Sequence, residues 1–229
     1  MIKLINLLKE LTTRPKPKLG KGEQGTVYPL GKDKVIKQTN FTDGMVKTEL
    51  EDYEKFNQHP DIFPHVYKLT SHYVITDKLD TSLKEFKDPE FWLFLCKNGW
   101  WREDPSKKNY WGARSDSMSW EYDSKTGLYN WMGDGEPIID YEWDVDVIED
   151  PFTKTFVNVR KNDLRPINHI LQKAKKQGKT QYYNALKEIL DFCTKINKVF
   201  KGEWRDVHIQ NIGRDSNNKL KIFDVTSDF

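Results

Sequence analysis

Asp206, His208 and Asn211 fall within "WRDVHIQNIG", and Asp224 follows thirteen residues after Asn211 in "IFDV". The spacing D-x-x-x-x-N pairs a carboxylate that can take the proton of an attacking hydroxyl with an amide oxygen that can hold a metal ion between phosphates. A second metal-binding carboxylate must emerge where a hairpin returns from the first, and Asp224 sits there, after the turn "RDSNN" and the apolar run "KLKIF". The chemistry these types suggest is phosphoryl transfer, with Asp206 as the base and Asn211 and Asp224 holding Mg2+. His208 can donate a hydrogen bond to the transferred phosphate or to Asp206, although an imidazole is only partly charged near neutral pH. A histidine that merely packs the loop is the alternative reading.

The other half of such a site stands near the beginning. Gly20, Gly22 and Gly25, followed by Val27, match G-x-G-x-x-G-x-V in "GKGEQGTV". Glycines let a backbone fold closely over phosphates and present its N–H groups. A dinucleotide-binding loop would open a helix, whereas a strand follows here, so the pattern favours an ATP-covering hairpin. Lys37 in "KVIK" can contact the phosphates if it has a carboxylate partner. Val46, Leu50, Tyr53 and Phe56 recur at helical spacing, and Glu49 lies on that inward face while Glu51 and Glu54 do not. A carboxylate among inward residues needs a cation, and Lys37 is the candidate; a solvated edge-strand lysine is the bland alternative.

The elements that must hold these residues are legible in outline. Residues 19–86 read as strands, "TVYPL", "KVIKQ" and "HYVITDKL", interrupted by the Val46–Phe56 helix and by the prolines of "HPDIFPHV". From 166 the pattern is helical: Leu186, Ile189, Leu190, Cys193, Ile196 and Phe200 mark one face, and Gly202 follows as a stop. Between them, 87–165 holds seven of the eight tryptophans, and 116–150 carries eleven acids against one base, so short strands and hairpins around a small core of their own are expected. "MIKLINLLKEL" fits a short amphipathic helix joined through "TRPKPK", with no signal-peptide pattern. The division is thus 1–18, 19–86, 87–165 and 166–229.

Composition narrows the class. A net charge of +2 gives no footprint for nucleic-acid binding, and a mean hydropathy of −0.79 with no long apolar run excludes a helical membrane span. Cys96 and Cys193 lie far apart without metal or redox spacing, and Cys193 on its apolar stripe reads as a buried thiol. A reducing, cytoplasmic setting is expected.

Taken together, the glycine loop, "VIK", "TELEDYEKF", "YVITDKL" and "RDVHIQN…IFD" resemble the protein kinase superfamily. "LGKGEQGTVYPLGKDKVIK" and "FKGEWRDVHIQNIGRDSNNKLKIFDVTSDF" are more closely similar to the early serine/threonine protein kinases of short-tailed coliphages. The resemblance covers about 19–86 and 181–229, and it implies an α+β, two-lobed fold. It also implies ATP and Mg2+ as cofactors, Thr76 at the gatekeeper position, and Asp77 to Leu79 as a hinge offering backbone groups to adenine. Host proteins are its implied substrates. Two departures stand out. D-x-H-x-x-N, with His208 in place of the usual lysine, is shared with aminoglycoside and choline phosphotransferases, and "DVT" replaces D-F-G. Only five residues follow Asp224, so a minimal, truncated C-lobe without an activation segment is expected, with the Trp-rich insertion read either as a substrate or partner domain that replaces the missing part or as a solvated acidic face over a small tryptophan core. Three readings follow: a serine/threonine protein kinase, a small-molecule kinase, or a kinase-like binding protein that engages a host factor through the insertion.

Overall fold

The computed structural model describes residues 18–21, 25–45, 47–101, 120–132, 150–201, 203 and 205–224. They form two compact units, residues 1–80 with 214–226, and residues 81–213 with 227–229. The expected N-terminal helix, Gly22, Val46, Gly202 and most of the acidic segment lie outside the described residues.

The first unit is built on a five-stranded antiparallel sheet in the order β1 (Gly20–Lys21), β2 (Gly25–Pro29), β3 (Lys34–Thr39), β5 (Tyr73–Asp77), β4 (Val66–Leu69). β2 and β3 form a hairpin in which Gly31 takes φ 77°, a value that suits glycine. The register sets Lys37 opposite Val27 on one side and Val74 on the other. Helix α1 (Lys47–Phe56) buries Glu49, Asp52, Tyr53 and Phe56. Phe56 stacks on Phe63 with ring centroids 4.2 Å apart, and Ile36, Ile62, Val74 and Ile75 complete the core around them.

Strand β4 was not expected, because prolines and a half-exposed edge hide its alternation. Side chains secure it instead. Asn57 bonds both the amide and the carbonyl of Val66, and the Asp77 carboxylate accepts from the His65 amide. Strand β9 (Leu220–Ile222), preceded by β8 (Ile212–Arg214), is tied to the same region: the Ile222 amide donates to the Ile62 carbonyl at 2.9 Å, and the Lys221 ammonium donates to the Pro60 carbonyl.

The second unit is mainly helical. Its spine is α5 (Thr180–Phe200), whose buried stripe of Tyr182, Leu186, Ile189, Cys193, Ile196 and Phe200 follows the expected periodicity. Lys201, not a glycine, closes it in a left-handed conformation with φ 50°. Helices α3 (Pro151–Arg160) and α4 (Arg165–Lys176) pack against α5. Both cysteines are buried, and burial pushes the Cys193 thiol well up.

Among the described residues of 88–165 there is one hairpin, β6 (Trp120–Asp123) with β7 (Leu128–Trp131), together with two helices that were not expected, α2 (Pro89–Lys97) and α3. The reason is local. Asp88–Pro89 and Asp150–Pro151, which resemble turn dipeptides, are N-cap and N1 pairs: each aspartate accepts from amides of the first turn, where the proline ring costs no hydrogen bond. The run "FWLFLC" suits either a buried strand or a buried helix, and the cap decides. Nor is this region's core wholly its own. Trp101, Trp120 and Trp131 form a ring cluster, yet Phe91 and Phe94 pack on Tyr182, and Phe152 packs on Phe192. Gly99 (φ 84°) lets the hairpin approach; a Cβ there would lie 2.0 Å from the Tyr129 carbonyl oxygen.

Candidate active site

Lys37 is the centre of the first cluster. Its Nζ lies 3.1 Å from Glu49 Oε1 and 3.1 Å from Asp224 Oδ2. The side chain is only 14% exposed, so this ammonium has exchanged most of its water for carboxylates. Burial opposes the charged form, but Tyr53, Asp224 and Glu49 around it outweigh that and hold the pKa far above the ordinary lysine value. Burial also pushes the Tyr53 hydroxyl up, so Tyr53 is neutral at physiological pH and the two carboxylates supply the charge. The expected Lys37–Glu49 pair therefore forms, and Asp224 joins it from 187 residues away.

The strands around this cluster explain its residue types. Gly25 faces Thr39 across the β2–β3 ladder, and a Cβ there would meet the Gln38 carbonyl at 2.7 Å and the Lys37 stem at 3.2 Å. Glycine thus makes room for the Lys37 side chain. Gly20 pairs with Val27 at the exposed edge. At the expected hinge, Asp77 is heavily engaged: its amide donates to the His65 carbonyl, and its carboxylate accepts from the His65 amide and the Tyr67 hydroxyl. Leu79 makes no hydrogen bond to the described residues, so of the two it has the backbone groups left to offer. Thr76 is 8% exposed.

The second cluster is the loop of Asp206, His208 and Asn211, in the second unit. The Gln210 amide donates to His208 Nδ1 at 3.2 Å, which leaves Nε2 as the protonated nitrogen; it donates to Asp206 Oδ2 at 3.2 Å. Of the two partners expected for His208, the structure shows Asp206. Asn211 Nδ2 donates to the Asp206 carbonyl at 3.1 Å and to Oδ2 at 3.3 Å. Its amide is thereby oriented, and Asn211 Oδ1 stays available as an acceptor. Asp206 Oδ1 likewise has no partner among the described residues, on a side chain that is 41% exposed.

Two groups that sequence reasoning missed hold this loop. The Asp150 carboxylate accepts from the Ile209 amide, and the Thr153 hydroxyl donates to the Val207 carbonyl. Tyr53 beside Lys37 was read only as core. Nothing in the local pattern of Asp150 or Thr153 separates them from ordinary helix-cap residues. The Asp–Pro pair marks the cap, but the loop contact is 59 residues away.

Asn211 in the second unit and Asp224 in the first each carry hard oxygens, the kind that suit Mg2+ rather than a softer metal. Among the described residues, no group of three or more His, Cys, Asp or Glu could cage a metal alone. No helix among them is long and apolar enough to cross a membrane.

No protein-family model matches the chain, and no curated protein matches it. Among solved structures, the streptomycin-ATP-APH(2")-IIa ternary complex is similar at 12% identity, covering 99% of this chain and 72% of that one, with a TM-score of 0.30. A likeness that slight carries no argument. The functional reading rests on the residues.

Proposed function

We propose that the protein transfers the γ-phosphoryl group of ATP to a hydroxyl. The observation that carries this is the meeting of Lys37 with both Glu49 and Asp224 at 3.1 Å. These are the lysine, helix carboxylate and post-strand aspartate that a kinase-like site requires, brought together from 12 and 187 residues apart. In this reading Gly20, Gly22, Gly25 and Val27 cover the nucleotide, and backbone groups around Asp77 and Leu79 meet the adenine. Lys37, held charged and aimed by Glu49, binds phosphate oxygens. Asn211 and Asp224 would hold Mg2+, which neutralises phosphate charge when bound. Asp206 Oδ1 accepts the proton of the attacking hydroxyl, while His208 and Asn211 fix Oδ2 and so the rotamer of the base.

The acceptor we propose is a serine or threonine hydroxyl of a host protein, as the resemblance to the phage kinases implies. A small-molecule hydroxyl is the second reading. It is favoured by His208, which occupies the place of a phosphate-facing lysine and bonds Asp206 instead. The test is incubation with Mg2+ and γ-labelled ATP, with and without a bacterial lysate, beside Asp206→Ala. Label on protein that disappears in the variant supports the protein kinase. ATP consumed only when small hydroxyl compounds are added supports the second reading. Wild-type protein that transfers nothing to either acceptor contradicts both.

A further inference from the structure

We infer that Asp150 and Thr153, in the first turn of α3, are positioning residues for the loop that carries Asp206. The inference rests on the reading of Asp206 as the base. A helix N-cap needs one side-chain oxygen, and Asp150 uses Oδ1 for it, accepting from the Phe152 amide at 2.8 Å and the Thr153 amide at 3.3 Å. The other oxygen is left over. Oδ2 accepts from the Ile209 amide at 2.7 Å, a short charge-assisted bond. One turn on, the Thr153 hydroxyl donates to the Val207 carbonyl at 3.0 Å.

The helix therefore presents one acceptor and one donor to an N–H and a C=O two residues apart, and these bracket His208. Among the described residues, the remaining hydrogen bonds of 206–211 stay between 205 and 212: Val207 to Arg205, Asn211 to Asp206 and His208, Gln210 to His208, His208 to Asp206, and Ile212 to Ile209. Internal bonds define the loop's shape but not its place. The two bonds from α3 fix it against a helix packed on α5. A base displaced by about 1 Å can lose some hundredfold in rate, so a two-point anchor on the backbone beside Asp206 is where such precision would originate.

Asp150→Asn separates capping from anchoring. Asparagine caps a helix about as well as aspartate, but its amide nitrogen would face the Ile209 N–H, donor against donor. The full chain carrying Asp150→Asn, Thr153→Ala, Thr153→Ser or Asp206→Ala would be compared for phosphoryl transfer, MgATP affinity, thermal midpoint and amide hydrogen exchange at 205–211. Asp150→Asn and Thr153→Ala should lower the transfer rate by about tenfold or more and speed exchange at Ile209. Their MgATP affinity should remain near wild type, their thermal midpoint should fall by the few degrees that a lost buried hydrogen bond costs, and Thr153→Ser, which keeps the hydroxyl, should restore the rate. Unchanged exchange in both Asp150→Asn and Thr153→Ala would overturn the anchor. So would unchanged transfer in both, with Asp206→Ala inactive. Transfer that survives Asp206→Ala would instead defeat the reading of Asp206 as base, while the exchange measurement still decides whether α3 anchors the loop.

Discussion

In the first unit, Lys37 gathers Glu49 and Asp224 from 12 and 187 residues away around one largely buried ammonium. In the second, Asp206, His208 and Asn211 come from a single stretch of six residues and bond to one another, with one carboxylate oxygen of Asp206 left open. The first arrangement concentrates charge where water is scarce, which suits gripping a polyphosphate. The second keeps its carboxylate accessible and orients it through a ring nitrogen and a side-chain amide, which suits taking a proton. Affinity and rate should therefore separate under mutation.

The largest effect belongs to Lys37. Lys37→Met leaves Glu49 and Asp224 facing each other without their cation. Removing one partner of a buried ion pair costs about 3–5 kcal/mol, and the partial exposure of Asp224, 30%, reduces this to about 2–3 kcal/mol. Denaturant melts should show that loss, together with MgATP affinity at least tenfold weaker. Wild-type stability in the variant would mean that the triad is only a surface arrangement.

His208 should act on rate alone and by less. His208→Ala removes the donor that fixes Asp206 Oδ2, and the predicted outcome is a rate about tenfold lower, roughly 1.4 kcal/mol in the barrier, at unchanged MgATP affinity. His208→Gln, which retains an N–H donor, should recover part of it. Equal weakening of nucleotide affinity would erase the contrast between the clusters.

How much of this could be read beforehand differs between the clusters in the same way. The loop announced itself, since Asp206, His208 and Asn211 are close in sequence and each bond joins near neighbours. Glu49 was found through the helical stripe that faces it inward. Asp224 was placed as a metal ligand, but its bond to Lys37 depends on how β9 is tied to the Pro60–Ile62 turn, which no local pattern encodes. Asp150 and Thr153 were hidden for the same reason. The helices α2 and α3 were not expected because an aspartate–proline pair suits a turn or a helix start equally well; the N-cap bonds of Asp88 and Asp150, with the packing of Phe91, Phe94 and Phe152, select the helix.

The smallest effect concerns the turn between Asn211 and Asp224. Asp215 is part-buried, which pushes its pKa up, but the amides of Asn217 and Lys219 and the Lys221 ammonium outweigh that and hold it below the usual carboxylate range. Its stabilisation is therefore complete above the ordinary carboxyl value of about pH 4 and is lost as pH falls through the lowered folded value. Asp215→Asn should be less stable by about 1 kcal/mol near neutral pH, with the gap closing on acidification. A gap that does not change with pH would assign the turn to shape alone.

The central claim is tested most directly by calorimetric titration of wild type, Lys37→Met and Asp206→Asn with MgATP. The account predicts that wild type and Asp206→Asn bind alike while Lys37→Met binds at least tenfold more weakly. Failure of the wild type to bind MgATP, or equal loss in both variants, would contradict it.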